Sequence, residues 1–355
     1  MTQLATAPAQ PRLRDPFFDN AKFLAILLVV VGHALEPVRD VHLAMSVYVF
    51  VYLFHMPLFI MITGYFSRSF TRATDRTRKL VATLAAPYLI FQVAYLAYER
   101  LFGDHDIRLQ LFDPYGLMWF LVAVLLWRVS TPFWQRVRWP LAIAVALSLH
   151  SSVYGLPDVL NLHNVVGLMP FYVLGLMLRP EHFELLRRTS VRVGAAIVLL
   201  AAAGWSWRYG RAFDRGWLYW GGTYRDHQVG VPQGMLMLTG MLLAGAVLAL
   251  AVLTLVPRRR AWFTELGANT MYVYLLHWFF VRTARHQGWY DPQWLHTVLG
   301  TGLVVTVSAA LGALLSTAAV RRTFRRLVEP TVSWLFSEPG GQTRMPTRSA
   351  RSSWR

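Results

Sequence analysis

The feature that most constrains this chain is a repetition of long apolar runs with arginines collected in the gaps between them. A helix that crosses a bilayer needs about 17–25 mostly apolar residues, and only helices or closed barrels satisfy their backbone inside hydrocarbon. Ten runs fit: 21–38, 44–66, 80–101, 114–130, 139–156, 163–179, 192–208, 231–256, 264–283 and 295–320. The fourth and fifth are short and rest on Trp and Tyr ends. The expected fold is all-α, a polytopic transmembrane helix bundle of about ten spans. A composition of 55% hydrophobic and 15% charged residues is too apolar for an ordinary soluble enzyme.

Orientation follows from the cations. With the N-terminus in the cytoplasm, 26 of the 35 Lys and Arg fall on cytoplasmic segments and 9 on the other side. An even number of spans then puts both termini inside. The start, "MTQLATAPAQPRLRD", has no cleavage site of the secretory type, so the first apolar run is expected to stay as a helix. Residues 1–18 read as a cytoplasmic tail, 19–336 as the membrane domain, and 337–355, rich in Gly, Pro, Ser, Thr and Arg, as a disordered cytoplasmic tail. The net charge of +17 does not indicate a nucleic-acid partner, because the cations are scattered between apolar runs instead of forming one stripe. The absence of cysteine removes disulfides, thiolate nucleophiles and cysteine metal sites.

The first run, "KFLAILLVVVGH", is bounded by two titratable groups, Lys22 and His33. Eleven residues at 100° each bring the second to about 20° from the first, and about 16 Å along the axis. Asp19 lies three residues before Lys22 and Glu36 three after His33, so one stripe carries all four. An ionisable group within a span is costly and marks a functional site by default. The plain alternatives are a histidine satisfied by a neighbouring helix, a lysine snorkelling to the interface and an aspartate capping the helix. An imidazole here suits a general base or an acyl-accepting nucleophile, with Glu36 orienting it or stabilising its cationic form. No metal site is expected, since no third ligand follows on this helix.

The Lys22-x10-His33 pattern ending in "VVVGH" resembles the first-helix motif of the acyltransferase-3 family of integral membrane acyltransferases. "FHMPLFIMITGYF" (Phe54 to Phe66), "MWFL" (Met118 to Leu121), "LGANTMYVYLLH" (Leu266 to His277) and "RRLVEP" (Arg325 to Pro330) resemble further blocks of that family, in the right order, over about residues 15 to 330. The resemblance is closest to the branch similar to fucose 4-O-acetylases, in which the first-helix cation is lysine and an Asp precedes it. It implies transfer of an acyl group, most simply acetyl from cytoplasmic acetyl-CoA, to a hydroxyl of an envelope glycan or lipid-linked sugar, by a multi-pass protein of the bacterial inner membrane. The family's essential histidine maps onto His33 and its cation onto Lys22. A homodimer is left open, and a transporter or flippase of an envelope precursor is the alternative.

Under this resemblance the basic segment "SRSFTRATDRTRKL" is the dock for the CoA phosphates, through Arg68, Arg72, Arg76, Arg78 and Lys79. Positive-inside topology alone also places cations there. Trp119 is a candidate to pack on the donor or the acceptor, and Glu329 to pair with Arg325 or Arg326 or to shape the CoA entrance. His277 is a candidate for acceptor binding, and Trp217, Tyr219, Trp220 and Tyr224 of the long 208–230 loop for stacking on sugar rings. Interfacial anchoring is the equal alternative for those aromatics.

Overall fold

The computed structural model describes residues 15–69, 76–103, 108 and 110–336. The expected 337–355 tail, Arg12, Arg14 and Arg72 lie outside the described residues. Those residues contain helices and no strand. The helices are α1 (Pro16–Leu35), α2 (His42–Tyr52), α3 (His55–Ser67), α4 (Arg76–Leu80), α5 (Ala86–Phe102), α6 (Trp119–Trp134), α7 (Pro140–Tyr154) and α8 (Leu162–Gly167). There follow α9 (Met169–Met177), α10 (Pro180–Leu185), α11 (Thr189–Tyr209), α12 (Val231–Leu255), α13 (Thr270–His286), α14 (Val298–Leu315) and α15 (Ala318–Val328).

Seven helical runs are long and apolar enough to cross a membrane: Pro16–Val38, His42–Ser67, Arg76–Phe102, Gly116–Trp134, Thr189–Tyr209, Val231–Leu255 and Val298–Leu315. Pro140–Tyr154 and Leu162–Met177 are apolar but shorter. The last of the ten expected runs to be located, 264–283, is α13, whose final turns carry Arg282, Arg285 and His286. This is a membrane protein. Leu200, Leu236 and Leu299 on α11, α12 and α14 are more than 70% exposed, as side chains facing lipid are.

Prolines divide the spans. Pro57 lies in the first turn of α3, where its missing N–H costs little, but its ring excludes helical pairing with the carbonyl four residues back. The run His42–Ser67 is therefore two helices joined at Leu53 and Phe54. Val81–Ala85 wind as a π turn just ahead of Pro87 for the same reason. Non-helical backbone at membrane depth is tolerated where it is buried or lines a cavity. The α2–α3 joint does the latter.

α1 is the central helix. Ala21, Ala25, Ile26, Val30 and Leu35 are fully buried, and it packs on α14, α13, α3 and α2. The closest crossing elsewhere is α3 on α9. There Gly64 meets the backbone carbonyl of Tyr172, and Gly175 meets that of Met61. A side chain at either glycine would push two backbones apart, the usual reason for small residues between membrane helices.

Candidate active site

The entry of α1 is fixed by short-range chemistry. Asp15 caps it by accepting from the Phe17 amide at 2.9 Å, so the cap is one turn earlier than Asp19. Asp19 is buried and pairs with Lys22, its Oδ1 at 2.6 Å from Nζ. Asn20, also buried, donates to the carbonyls of Pro257 (2.8 Å) and Arg259 (3.1 Å) and accepts from Thr264 Oγ1 at 2.7 Å. Gly267 brings its backbone against the Asp19 carbonyl, an approach no other residue permits. The "DNAK" and "LGAN" stretches are thus one joint, though far apart in sequence.

Above this joint Lys22, Ile26, Val29, His33 and Glu36 follow one another at steps of four and three, on one helix face. The last four line a cavity of about 260 Å³ near the far end of α1. Lys22 does not line it and lies about 16 Å from His33 along the axis. Its cation is held by Asp19.

The cavity walls come from five other places in the chain. Tyr52 and His55 enter from the α2–α3 joint, Trp119 and Phe120 from the start of α6, and Asn164 from α8. Tyr219 and Trp220 come from the outer loop, and Tyr274 and Trp278 from α13. His33 Nδ1 is 3.4 Å from the Tyr52 hydroxyl, at the long end of hydrogen-bond range. If Nδ1–H donates to that oxygen, the Nε2 lone pair is free for a substrate proton or acyl group. The His277 ring lies 5.6 Å from the His33 ring, and that of Trp278 5.4 Å. His277 is fully buried; its Nδ1 donates to the Val273 carbonyl at 2.8 Å, and its Nε2 has no partner among the described residues. His55 Nδ1 similarly donates to the Val51 carbonyl at 3.0 Å. Two imidazoles are therefore held by backbone, leaving one nitrogen each for other work.

Glu36 does not orient His33. The helix tightens to a 3₁₀ turn at Glu36–Val38, and the carboxylate pairs with Arg285 of α13 and with Arg39 at 3.6 Å. Arg39 in turn donates to the Tyr219 hydroxyl at 3.3 Å, which is 2.8 Å from that of Tyr48. The carboxylate thus ties α1, α13 and the outer loop at the cavity rim.

The remaining expected residues separate. Trp119 and Trp220 line the cavity. Trp217 and Tyr224 are buried within the outer loop, where Trp217 stacks on His227 at 4.0 Å and Tyr224 donates to the Leu149 carbonyl at 3.0 Å. Neither lines the His33 cavity. Arg68 is engaged with the Tyr65 and Leu178 carbonyls and with the Tyr65 ring, 4.0 Å away. Arg76, Arg78 and Lys79 are exposed on α4. Glu329 is exposed and 3.6–3.8 Å from Arg325 and Arg321. Sequence reasoning missed Tyr52, His55, Asn164 and Trp278. The Pro57 break was the signal for the first two, and the adjacency to His277 for the last.

A bundle of apolar helices encloses a histidine-lined cavity, and that cavity is the candidate site. The family follows from comparison. Residues 15–313 match the family model of an acyltransferase domain, and the chain belongs to the acyltransferase-3 family. It is similar to the nodulation protein NolL of Sinorhizobium fredii, 28% identical over 293 residues, which cover 74% of this chain and 77% of that protein. Nodulation protein NolL of Mesorhizobium japonicum is 27% identical over 194 residues, 48% of this chain and 50% of the relative. No solved structure matches significantly.

Proposed function

We propose that this membrane acyltransferase moves an acetyl group from cytoplasmic acetyl-CoA to a hydroxyl of an envelope glycan or lipid-linked sugar. The chain would cross the bacterial inner membrane ten times with both termini in the cytoplasm, the seven long runs being joined by the two shorter apolar ones and α13. The observation that carries the reading is His33 itself, on the wall of an aromatic cavity at the opposite end of α1 from the basic segment.

In this scheme Arg76, Arg78 and Lys79, which are exposed and at the α4 end of the bundle, take the CoA phosphates. The thioester reaches the cavity along the α1 stripe, past Lys22. The acceptor hydroxyl attacks the thioester carbonyl carbon and gives its proton to His33. The C–S bond breaks, and the proton passes to the departing sulfur as free CoA thiol. In the two-step form His33 Nε2 attacks the thioester carbonyl carbon and expels CoA as the thiolate; the hydroxyl then attacks the acyl-imidazole, which leaves as neutral His33, and the hydroxyl proton passes to the CoA thiolate. Trp119 and Trp220 supply the apolar walls that keep water from competing.

The test uses purified protein in nanodiscs with acetyl-CoA labelled on the acetyl group, comparing wild type with His33→Ala. Free CoA release and label on protein, both lost in the variant, support the two-step form. CoA release without protein label, lost in the variant, supports direct transfer. Silence with acetyl-CoA, other acyl-CoAs and crude envelope glycans overturns the proposal in favour of transport.

A further inference from the structure

A second cavity, larger than the first, lies between α11 and α12 and takes no part in the scheme above. Its volume is about 760 Å³. It runs along α12 from Gln233 to Leu248, about 22 Å of helix, against a hydrocarbon core about 30 Å thick. Met237, Gly240 and Met241 form one wall and Val198, Ala202 and Trp205 of α11 the other. Gln233, at the end beside the outer loop, supplies its polar side chain. Leu236 and Val247, on its rim, are exposed, so the groove opens sideways toward lipid.

The groove is one layer of side chains from the His33 cavity. Leu53 lines the groove, and Tyr52, the residue before it, lines the cavity. Trp217 lines the groove, Trp220 lines the cavity, and both border a small void between them. A molecule lying in the groove with its head beside the outer loop has that head next to Tyr219 and Trp220, at the acceptor end of the site. Spread over about 22 Å of helix, a volume of about 760 Å³ is a cross-section of about 35 Å², room for one hydrocarbon chain, as in a single-chain carrier lipid, and not for the two of a phospholipid.

From this continuity we infer that the groove between α11 and α12 seats the hydrocarbon tail of a polyprenyl-phosphate-linked acceptor. The inference rests on the proposed transfer reaction for its purpose, but the tail site has a binding test of its own.

Wild-type protein in nanodiscs is illuminated with polyprenyl phosphate carrying a diazirine in its tail, and separately with phosphatidylglycerol carrying the same group. The expected result is label on Ala202, Met237 and Met241 from the polyprenyl probe, competed by unlabelled polyprenyl phosphate. Equal labelling by phosphatidylglycerol, without competition, would mean ordinary annular lipid and overturns the inference. The blocking variant is Gly240→Trp. A Cβ there meets no atom within 4 Å, so the side chain can start into the groove without strain, and Ala202→Phe is a second, smaller plug. Displacing about two buried methylenes already lowers affinity about tenfold, so both variants should lower labelling at least that much. In transfer assays Gly240→Trp should lower acetylation of a polyprenyl-linked sugar by about tenfold and leave that of the same sugar without its tail within about twofold. Equal loss with both acceptors, or loss with neither, overturns the inference. Absence of transfer by wild type to either acceptor would sink the proposed function, while the labelling experiment would still decide the groove.

Discussion

Substituting Glu36→Gln separates two roles for a carboxylate at this position. In the structure Glu36 is a tie holding Arg39 and Arg285, not a partner of His33. At the 3.6 Å separation from Arg39, attraction in a medium of effective dielectric 20 is about 4–5 kcal/mol. Desolvation and side-chain ordering oppose most of this. All three side chains are 20–26% exposed, which leaves a net coupling of about 1–2 kcal/mol per pair. Losing both pairs should therefore cost about 2–4 kcal/mol. The assay is SDS-driven unfolding in mixed micelles, run as a double-mutant cycle on Glu36→Gln and Arg285→Gln. The expected coupling is about 1–2 kcal/mol, with the double variant less damaged than the sum of the singles. A coupling below about 0.5 kcal/mol would refute the reasoning. So would loss of turnover in Glu36→Gln with unfolding unchanged, which would return the carboxylate to His33.

Further outcomes follow from other contacts. Asn20→Asp should destabilise more than Asn20→Leu, because the carboxylate would face the Pro257 and Arg259 carbonyls; about 3 kcal/mol is expected from the lost bonds and the unpaired groups left behind, read by thermal unfolding in detergent. His277→Phe loses the Nδ1 bond to Val273 but also removes a buried nitrogen with no partner among the described residues, so its stability should stay within about 1 kcal/mol of wild type while kcat falls; a loss above about 2 kcal/mol with full turnover would show that Nε2 has a structural partner instead. His296, in the turn between α13 and α14, meets the Asp40 carboxylate from the segment between α1 and α2; that carboxylate, followed by the Tyr290 carbonyl, raises its pKa above the ordinary imidazole value. That contribution is fully present below the unfolded pKa and is lost as pH rises through the folded one. NMR titration of His296 should show the raised value in wild type and a fall in Asp40→Asn.

What could be read beforehand was what a single helix carries by itself. The Asp19, Lys22, His33 and Glu36 stripe depends only on helical pitch, and the structure keeps it as one face. The partners of that stripe depend on packing between segments hundreds of residues apart. Glu36 met two arginines because the helix tightened after His33, and Arg285 arrives from α13. Arg68 looked free for phosphate, but its neighbours Tyr65 and Leu178 end their helices with open carbonyls, which its guanidinium fills. The loop aromatics were expected to present themselves together. Burial turned Trp217 and Tyr224 inward and left Trp220 on the cavity wall. Seven of the ten expected runs are long apolar helices, as apolar length alone indicated. The break at Pro57 divides one of these, and the break between α8 and α9, just ahead of Pro170, and the polar last turns of α13 divide or shorten two of the others.

α1 is fastened at both ends, by the Asn20 and Gly267 joint below and by the arginines on Glu36 above. A carrier that works by alternating access turns one half of its bundle against the other, and that stroke would tear one of these joints each cycle. With α1 anchored, the proposed transfer keeps His33 at a constant depth and has the two substrates do the travelling. A compound that wedges into the cavity from the acceptor end would then stall turnover without ever crossing to the donor side.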